Sequence, residues 1–279
     1  MIRMSPSSLA SRITRISGAS RTEENDLLAV EEPLEIRLGY ERDGERVSSS
    51  ISITMRTPGN DEELATGFLF TESIINSNED IAFVKPCGSA DGDNAIRVEL
   101  ESGVDVELER LQRHFYTTSS CGVCGKASLD ALRVAGASAI PPDGVSFSRA
   151  VLAELPGRLR EAQKTFDETG GLHAAAAFDT AGKLLVLRED IGRHNAVDKV
   201  VGALLSEGLL PASELGLMVS GRASFELMQK ALLAGMPLLT AISAPSSLAV
   251  QLAREFNLSL VGFLRGDTFN IYAGEERIA

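Results

Sequence analysis

Cysteine is scarce in this chain, with three among 279 residues. Three thiols cannot form a disulfide scaffold for a chain of this size, which leaves metal binding or reactivity as their use. Long apolar runs are missing too. Nothing approaches the ~18 consecutive apolar residues of a membrane-spanning helix, and residues 1–21 lack the apolar stretch of a signal peptide. The expectation is a cytoplasmic protein with reduced thiols. Basic residues are outnumbered, 27 Lys and Arg against 39 Asp and Glu, for a net charge of −12. That balance disfavours nucleic acid and anionic membrane as main partners, because both are gripped through clustered cations. A small phosphorylated ligand is still open, since it needs only a few local donors.

What the chain does have is Cys121-Gly122-Val123-Cys124-Gly125-Lys126, which holds two of the three cysteines two residues apart. The flanking glycines leave little side-chain bulk to hinder approach. Such a pair suits metal ligation, dithiol–disulfide exchange, or carriage of a sulfur atom. Lys126 could favour a thiolate, although a lysine in such a segment is more often simply solvated. Cys87, after Pro86, has no cationic sequence neighbour to activate it and reads as structural or inert. His114 carries no further signal.

The pattern divides the chain. Residues 1–29, rich in Ser, Arg, Thr and Glu, read as a flexible lead-in. Residues 30–110 read as a small α+β unit. It has half-buried strands over Pro33–Tyr40 and Ser48–Arg56, a helix from Asp61 to Ile75, and a hairpin of Ala95–Leu100 with Val104–Leu108. Residues 111–147 form an irregular connecting segment with a short helix near Ala127–Val134. From 148 to 279 the pattern is α/β. A long helix over Ser148–Thr169 is followed by the strands His173–Phe178 and Lys183–Leu187. Helices and strands then alternate to Tyr272. Repeated αβ units imply right-handed crossovers and a mainly parallel sheet. The order helix, hairpin, repeated αβ is that of a cytidine-deaminase-like αβα sandwich.

Ligands of open α/β sheets bind at the carboxyl ends of the strands. Four polar or glycine-rich loops leave those ends: residues 189–194, 220–224, 243–247 and 263–268. Ser220-Gly221-Arg222-Ala223-Ser224 combines backbone N–H groups, a helix start with Ser224 as N-cap, and one guanidinium, which suits a phosphate. One such loop alone is ordinary; four on one edge point to a ligand site. His194 stands just before a helix, with Asp198 placed to orient its ring. Catalysis, ligand contact and capping all stay open for it. His173, at the head of a buried strand, reads first as a core residue.

Zinc deaminases pair a His-x-Glu with a later Cys-x-x-Cys. Here Ala175 stands where that Glu belongs, and the cysteine pair comes first. There is no second cysteine pair for a four-ligand zinc site either. A thioredoxin-type motif would open a helix directly after a strand, which this irregular segment does not.

Six segments resemble one family, the formate dehydrogenase accessory sulfurtransferases (FdhD). They are Cys121-Gly-Val-Cys-Gly125, Gly171-Leu-His-Ala-Ala175, Glu189-Asp-Ile-Gly-Arg-His194, Asp198-Lys199, Ser220-Gly-Arg-Ala-Ser224, and Leu260-Val-Gly-Phe263 leading to Tyr272. The resemblance implies a sulfurtransferase that takes persulfide sulfur from a cysteine desulfurase. The sulfur passes to the molybdenum or tungsten bis(molybdopterin guanine dinucleotide) cofactor, a bound substrate here, for the client formate dehydrogenase. It implies Cys121 as persulfide carrier, Cys124 as assisting thiol, and a homodimer with no permanent cofactor or metal. The family's cofactor-binding stretch falls on Phe263, Leu264, Arg265, Gly266, Asp267 and Thr268; some members carry a basic residue at the position of Thr268. Arg222, Arg265 and His194 are the further candidates for contacts to the dinucleotide. Two other readings compete: a cofactor-binding chaperone without transfer chemistry, and a zinc-dependent deaminase-type hydrolase.

Overall fold

The structure is a computed structural model; it describes residues 2, 3, 5, 7–88, 94–104, 106, 129, 132, 137–142 and 144–279. The N-terminal segment departs from expectation. In place of a flexible lead-in, β1 (Ile2–Arg3), β2 (Ser8–Ser17) and β3 (Ser20–Ala29) pair as an antiparallel ribbon. Gly18 turns the hairpin at φ 59, a backbone angle glycine reaches without strain. Ser and Arg content points to disorder, but unbroken cross-strand pairing from Ser8 with Ala29 to Ser17 with Ser20 forms the hairpin.

A four-stranded sheet follows, from β4 (Glu32–Arg42), β5 (Glu45–Arg56), β6 (Ile81–Pro86) and β7 (Ala95–Leu100), in the order β5-β4-β7-β6. Edge strand β6 is largely exposed and has no apolar alternation to betray it in the sequence. Helix α1 (Asp61–Thr71) covers one face of the sheet, burying Leu64 and Leu69 against Leu34, Ile36, Val98 and Leu100. It stops short of Ile75. Ser73 turns the chain at φ 56, which drops Ile74 and Ile75 into the same core. The expected partner strand of β7 is not seen at Val104 and Val106, and its residues 105, 107 and 108 lie outside the described residues. Leu129 and Leu132 are helical and buried; the rest of that expected short helix also lies outside them.

The C-terminal part begins with α2 (Arg149–Ala162) and α3 (Lys164–Thr169), where one helix was expected. The break at Gln163 has a tertiary cause: the Glu189 carboxylate accepts the Thr165 and Phe166 N–H groups at 3.0 and 2.8 Å, capping a new helix start. Next come β8 (His173–Phe178), β9 (Leu184–Asp190), α4 (Arg193–Ser206), β10 (Gly216–Val219) and α5 (Phe225–Leu233). The chain ends with β11 (Leu238–Ala241), α6 (Ser247–Glu255), β12 (Ser259–Arg265) and β13 (Thr268–Ala273). The sheet order is β13-β12-β11-β10-β8-β9. Only β10–β11 and β11–β12 are parallel pairs; β8 with β9 and β10, and β12 with β13, are antiparallel. The sheet is therefore mixed rather than mainly parallel, because hairpins close both ends. Helix α2 packs on one face over Phe178, Met218 and Val261. Helices α4, α5 and α6 pack on the other over Ala175, Leu217 and Leu239. This is the expected αβα sandwich.

Helices α1 and α4 join the two sheets, and they cross through glycines. A Cβ built on Gly67 would lie 1.8 Å from the Asp198 carbonyl oxygen, and one on Gly202 would lie 1.9 Å from that of Glu63. Two buried polar ties accompany the crossing. Asp198 accepts from Thr71 Oγ1 at 2.7 Å and from Lys230 Nζ at 2.8 Å. Burial works against the Lys230 ammonium, but the Asp198 and Glu72 carboxylates outweigh it and push its pKa up. In the second tie, Lys199 Nζ donates to the Thr57 carbonyl at 2.9 Å and pairs with Asp190 Oδ2 at 2.7 Å.

Candidate functional site at the strand-end edge

Strand β9 is antiparallel to β8, which is antiparallel to β10, so β9 runs with β10, β11 and β12. Their carboxyl ends meet at one edge, where β8 also starts. Backbone hydrogen bonds lace the loops there into a ladder. Phe263 N–H donates to Ser243 O at 3.1 Å, Ser243 N–H to Gly221 O at 3.3 Å, and Ser246 N–H to Ala223 O at 2.9 Å. Ser220 ties the ladder to β8, its hydroxyl accepting the Ala174 N–H at 2.9 Å. Gly262 is needed for this fit: a Cβ there would lie 2.9 Å from Pro245 Cδ.

His194 belongs to the first turn of α4 rather than preceding the helix. It does not meet Asp198, whose carboxylate is drawn to Thr71 and Lys230. Instead its Nε2 lies 3.9 Å from Oε2 of Glu226, in the first turn of α5. The His194 ring, working against partial burial, holds the Glu226 carboxyl at about 2. His173, half-buried at the start of β8, is not a plain core residue. Burial first, then the positive charges of Arg193 and His194, lower its pKa and favour the neutral ring. Gly221 passes beside this imidazole, a Cβ there falling 3.4 Å from His173 Nδ1.

Among the described residues, the buried side-chain polar atoms without a hydrogen-bond partner are Arg193 Nε, His194 Nε2, Ser224 Oγ and Thr240 Oγ1. The first three lie on the opening residues of α4 and α5, at this edge. Ser224 is the N-cap of α5 as expected, but its hydroxyl makes no capping bond. A buried polar atom left unpaired costs roughly 1–3 kcal/mol; three of the four stand at this edge, and of these the His194 and Ser224 side chains both act on the Glu226 carboxylate.

The stretch 263–268 is the tip of a hairpin rather than an open loop. Phe263, Leu264 and Arg265 end β12, Gly266 and Asp267 turn, and Thr268 opens β13. Phe263 is 37% exposed and holds φ 54, a strained angle for an aromatic residue. Leu264 is fully buried in the core below the sheet, so its side chain is scaffold. Arg265, Gly266, Asp267 and Thr268 are exposed, as is Arg222. Cys121, Cys124, Lys126 and His114 lie outside the described residues. Cys87 is half-buried. A cavity of about 200 Å³ opens at the outer end of the edge, between Thr57, Gly59, Thr165, Glu189 and Lys199. Its ammonium is already committed to Asp190 and Thr57.

Comparison with known proteins gives this edge a context. The model of the FdhD/NarQ family matches residues 29–279. A sulfur carrier protein FdhD from Nocardia farcinica is 50% identical over 273 residues, spanning 96% of this chain and 93% of its own length. A sulfur carrier protein FdhD from Streptomyces avermitilis is 51% identical, spanning 96% and 94%. One from Sulfurisphaera tokodaii is 43% identical, spanning 96% and 97%. The crystal structure of a chain described as a formate dehydrogenase accessory protein, from Desulfotalea psychrophila, superposes with a TM-score of 0.75. It is 26% identical, covering 98% of this chain and 100% of that one. The family model takes in both sheets and every loop of the strand-end edge, and the relatives extend across nearly the whole chain: this protein belongs to the FdhD/NarQ family.

Proposed function

We propose that this chain is a sulfur carrier that serves the maturation of formate dehydrogenase. Relatives named sulfur carrier protein FdhD, alike over nearly their full length, support the role. So does the structural neighbour described as a formate dehydrogenase accessory protein. The observation that carries the site is the convergence of unpartnered polar atoms on the strand-end edge. On this reading the edge holds the guanine dinucleotide arms of the molybdenum or tungsten cofactor as substrate. Exposed Arg222 and Arg265 take phosphate oxygens, the exposed ring of Phe263 offers a stacking face, and His194 lies across the opening.

The transfer chemistry belongs to the cysteine pair. The Cys121 thiolate attacks the terminal sulfur of a persulfide on a cysteine desulfurase. One S–S bond forms as another breaks, and the donor leaves as its thiolate. Cys124 then attacks the Cys121 sulfur; a Cys121–Cys124 disulfide forms and the outer sulfur departs as hydrosulfide for the metal. The dithiol is oxidised by two electrons, the sulfur is reduced by two, and a cellular thiol must afterwards restore the pair.

Mass spectrometry of the intact protein tests this. Incubation with a desulfurase and cysteine should add about 32 Da, one sulfur atom, removable by reductant and absent in Cys121→Ala. Cys121→Ala should also fail to restore formate dehydrogenase activity in cells lacking the native protein. Restoration by that variant would sink the reading. No adduct, with dinucleotide binding intact, would replace it with a cofactor escort.

A further inference from the structure

A phosphate site has no use for a carboxylate, yet Glu226 stands among the donors of the strand-end edge. Its side chain is 60% exposed, so a ligand can reach it. His194 Nε2 lies 3.9 Å from Glu226 Oε2, beyond direct hydrogen-bond length. The His194 ring keeps this carboxyl ionised, at about 2. Ser224 stands beside it and its side chain also favours the ionised carboxylate, while Arg193 Nε, next to His194 in the chain, has no hydrogen-bond partner. An ionised two-oxygen acceptor next to several donors is the complement of a base edge that presents two donors next to an acceptor.

Resting on the reading of this edge as the guanine dinucleotide site, we propose that Glu226 is the residue that selects guanine. Its two carboxylate oxygens accept from N1–H and the N2 amine of the base. Adenine places a ring acceptor next to its single amino donor, so the second carboxylate oxygen would face a lone pair. Hypoxanthine keeps N1–H but lacks the N2 amine, and satisfies one oxygen only. Arg222 and Arg265 lie outside this donor–acceptor pair and are left for the phosphates. The arrangement separates the base, which needs an anion, from the diphosphate, which needs cations.

The test is calorimetric titration of the full-length protein with GDP, IDP and ADP. Wild type should bind GDP about tenfold to a hundredfold more tightly than ADP, with IDP between them, the range one bidentate base contact supplies. Glu226→Gln keeps the shape but presents a donor in place of one acceptor. It should lose GDP by about the same factor, leave ADP unchanged, and melt at the wild-type temperature. Equal affinity of wild type for GDP and IDP would overturn the assignment without any variant. So would a Glu226→Gln protein that keeps the wild-type GDP-to-ADP ratio. Wild type that binds none of the three would overturn the nucleotide reading of the edge itself, and the assignment with it.

Discussion

Gly202→Ala puts a methyl group where two helices touch. Its Cβ would sit 1.9 Å from the Glu63 carbonyl oxygen, 2.6 Å from the carbon and 2.8 Å from Cα, all backbone atoms that cannot swing aside. Restoring an ordinary contact of 3.4 Å requires the helices to part by about 1.5 Å. A gap of ~0.5–1 Å already forfeits a quarter to a half of the dispersion between facing atoms. The same movement stretches the 2.7 Å bond from Thr71 to buried Asp198. Overpacking costs ~1–3 kcal/mol and a strained buried hydrogen bond ~1–3 kcal/mol. Alanine's better helix propensity returns ~1 kcal/mol. The net expectation is a loss of ~1–5 kcal/mol, which for a chain of this size lowers Tm by roughly 2–20 °C. Gly157→Ala is the opposite control. That glycine is exposed within α2, a Cβ there meets nothing within 4 Å, and the change should stabilise by ~0.5–1 kcal/mol. Calorimetry of both variants against wild type is the assay. If Gly202→Ala melted within ~2 °C of wild type, or if both changes shifted Tm in the same direction, the glycine-mediated crossing would be wrong.

Two further outcomes follow from the buried charges. Lys199→Met removes the partner of a fully buried carboxylate; Asp190 then holds an unpaired charge, and urea unfolding should show a loss of ~3–5 kcal/mol. Lys199→Met combined with Asp190→Asn should recover part of it, whereas strictly additive losses would contradict the pairing. His173 has a folded pKa below its ordinary 6.5, so between the two values the unfolded chain binds the extra proton. Its contribution to stability is complete above 6.5 and falls away as pH drops through that value towards the folded pKa. His173→Asn should therefore flatten the decline in urea midpoint between about pH 7 and about pH 5, and an unchanged slope would remove His173 as its source.

How far the sequence carries depends on whether a signal is local. The strand-end loops are legible because glycine, serine and a helix start stand together in the chain, as in residues 220–224. Strand alternation in β4 and β5 is local in the same way. What the sequence hides is set by distant partners. The break between α2 and α3 depends on Glu189, 24 residues beyond Thr165. The contact of His194 with Glu226 spans two helices that only the sheet brings side by side. Asp198, four residues from His194, is the nearer guess on helical spacing, and it is wrong because Thr71 and Lys230 satisfy that carboxylate better. Composition misleads at the N-terminus, where Ser and Arg conceal a hairpin whose cross-strand pairs carry it.

Helix α4 carries Arg193, His194, Asp198 and Lys199 on one element. Asp198 and Lys199 sit next to each other in the chain, yet they serve different neighbours. Asp198 reaches Thr71 at the end of α1, and Lys199 reaches Thr57 ahead of its start. Asn195, one turn earlier, donates to the Met55 carbonyl at 2.8 Å and to Asp190 at 3.0 Å. The first sheet is thus bonded to α4 at several points along the helix, and Arg193 and His194 project from the start of that same helix into the candidate site. A disturbance at the α1–α4 crossing therefore has a short mechanical route to the edge. Nucleotide affinity should fall in Gly202→Ala by more than in a variant of equal ΔΔG placed at β13, the edge strand at the far end of the sheet from β9. Equal losses would mean that the crossing supports the fold alone and leaves the placement of His194 untouched.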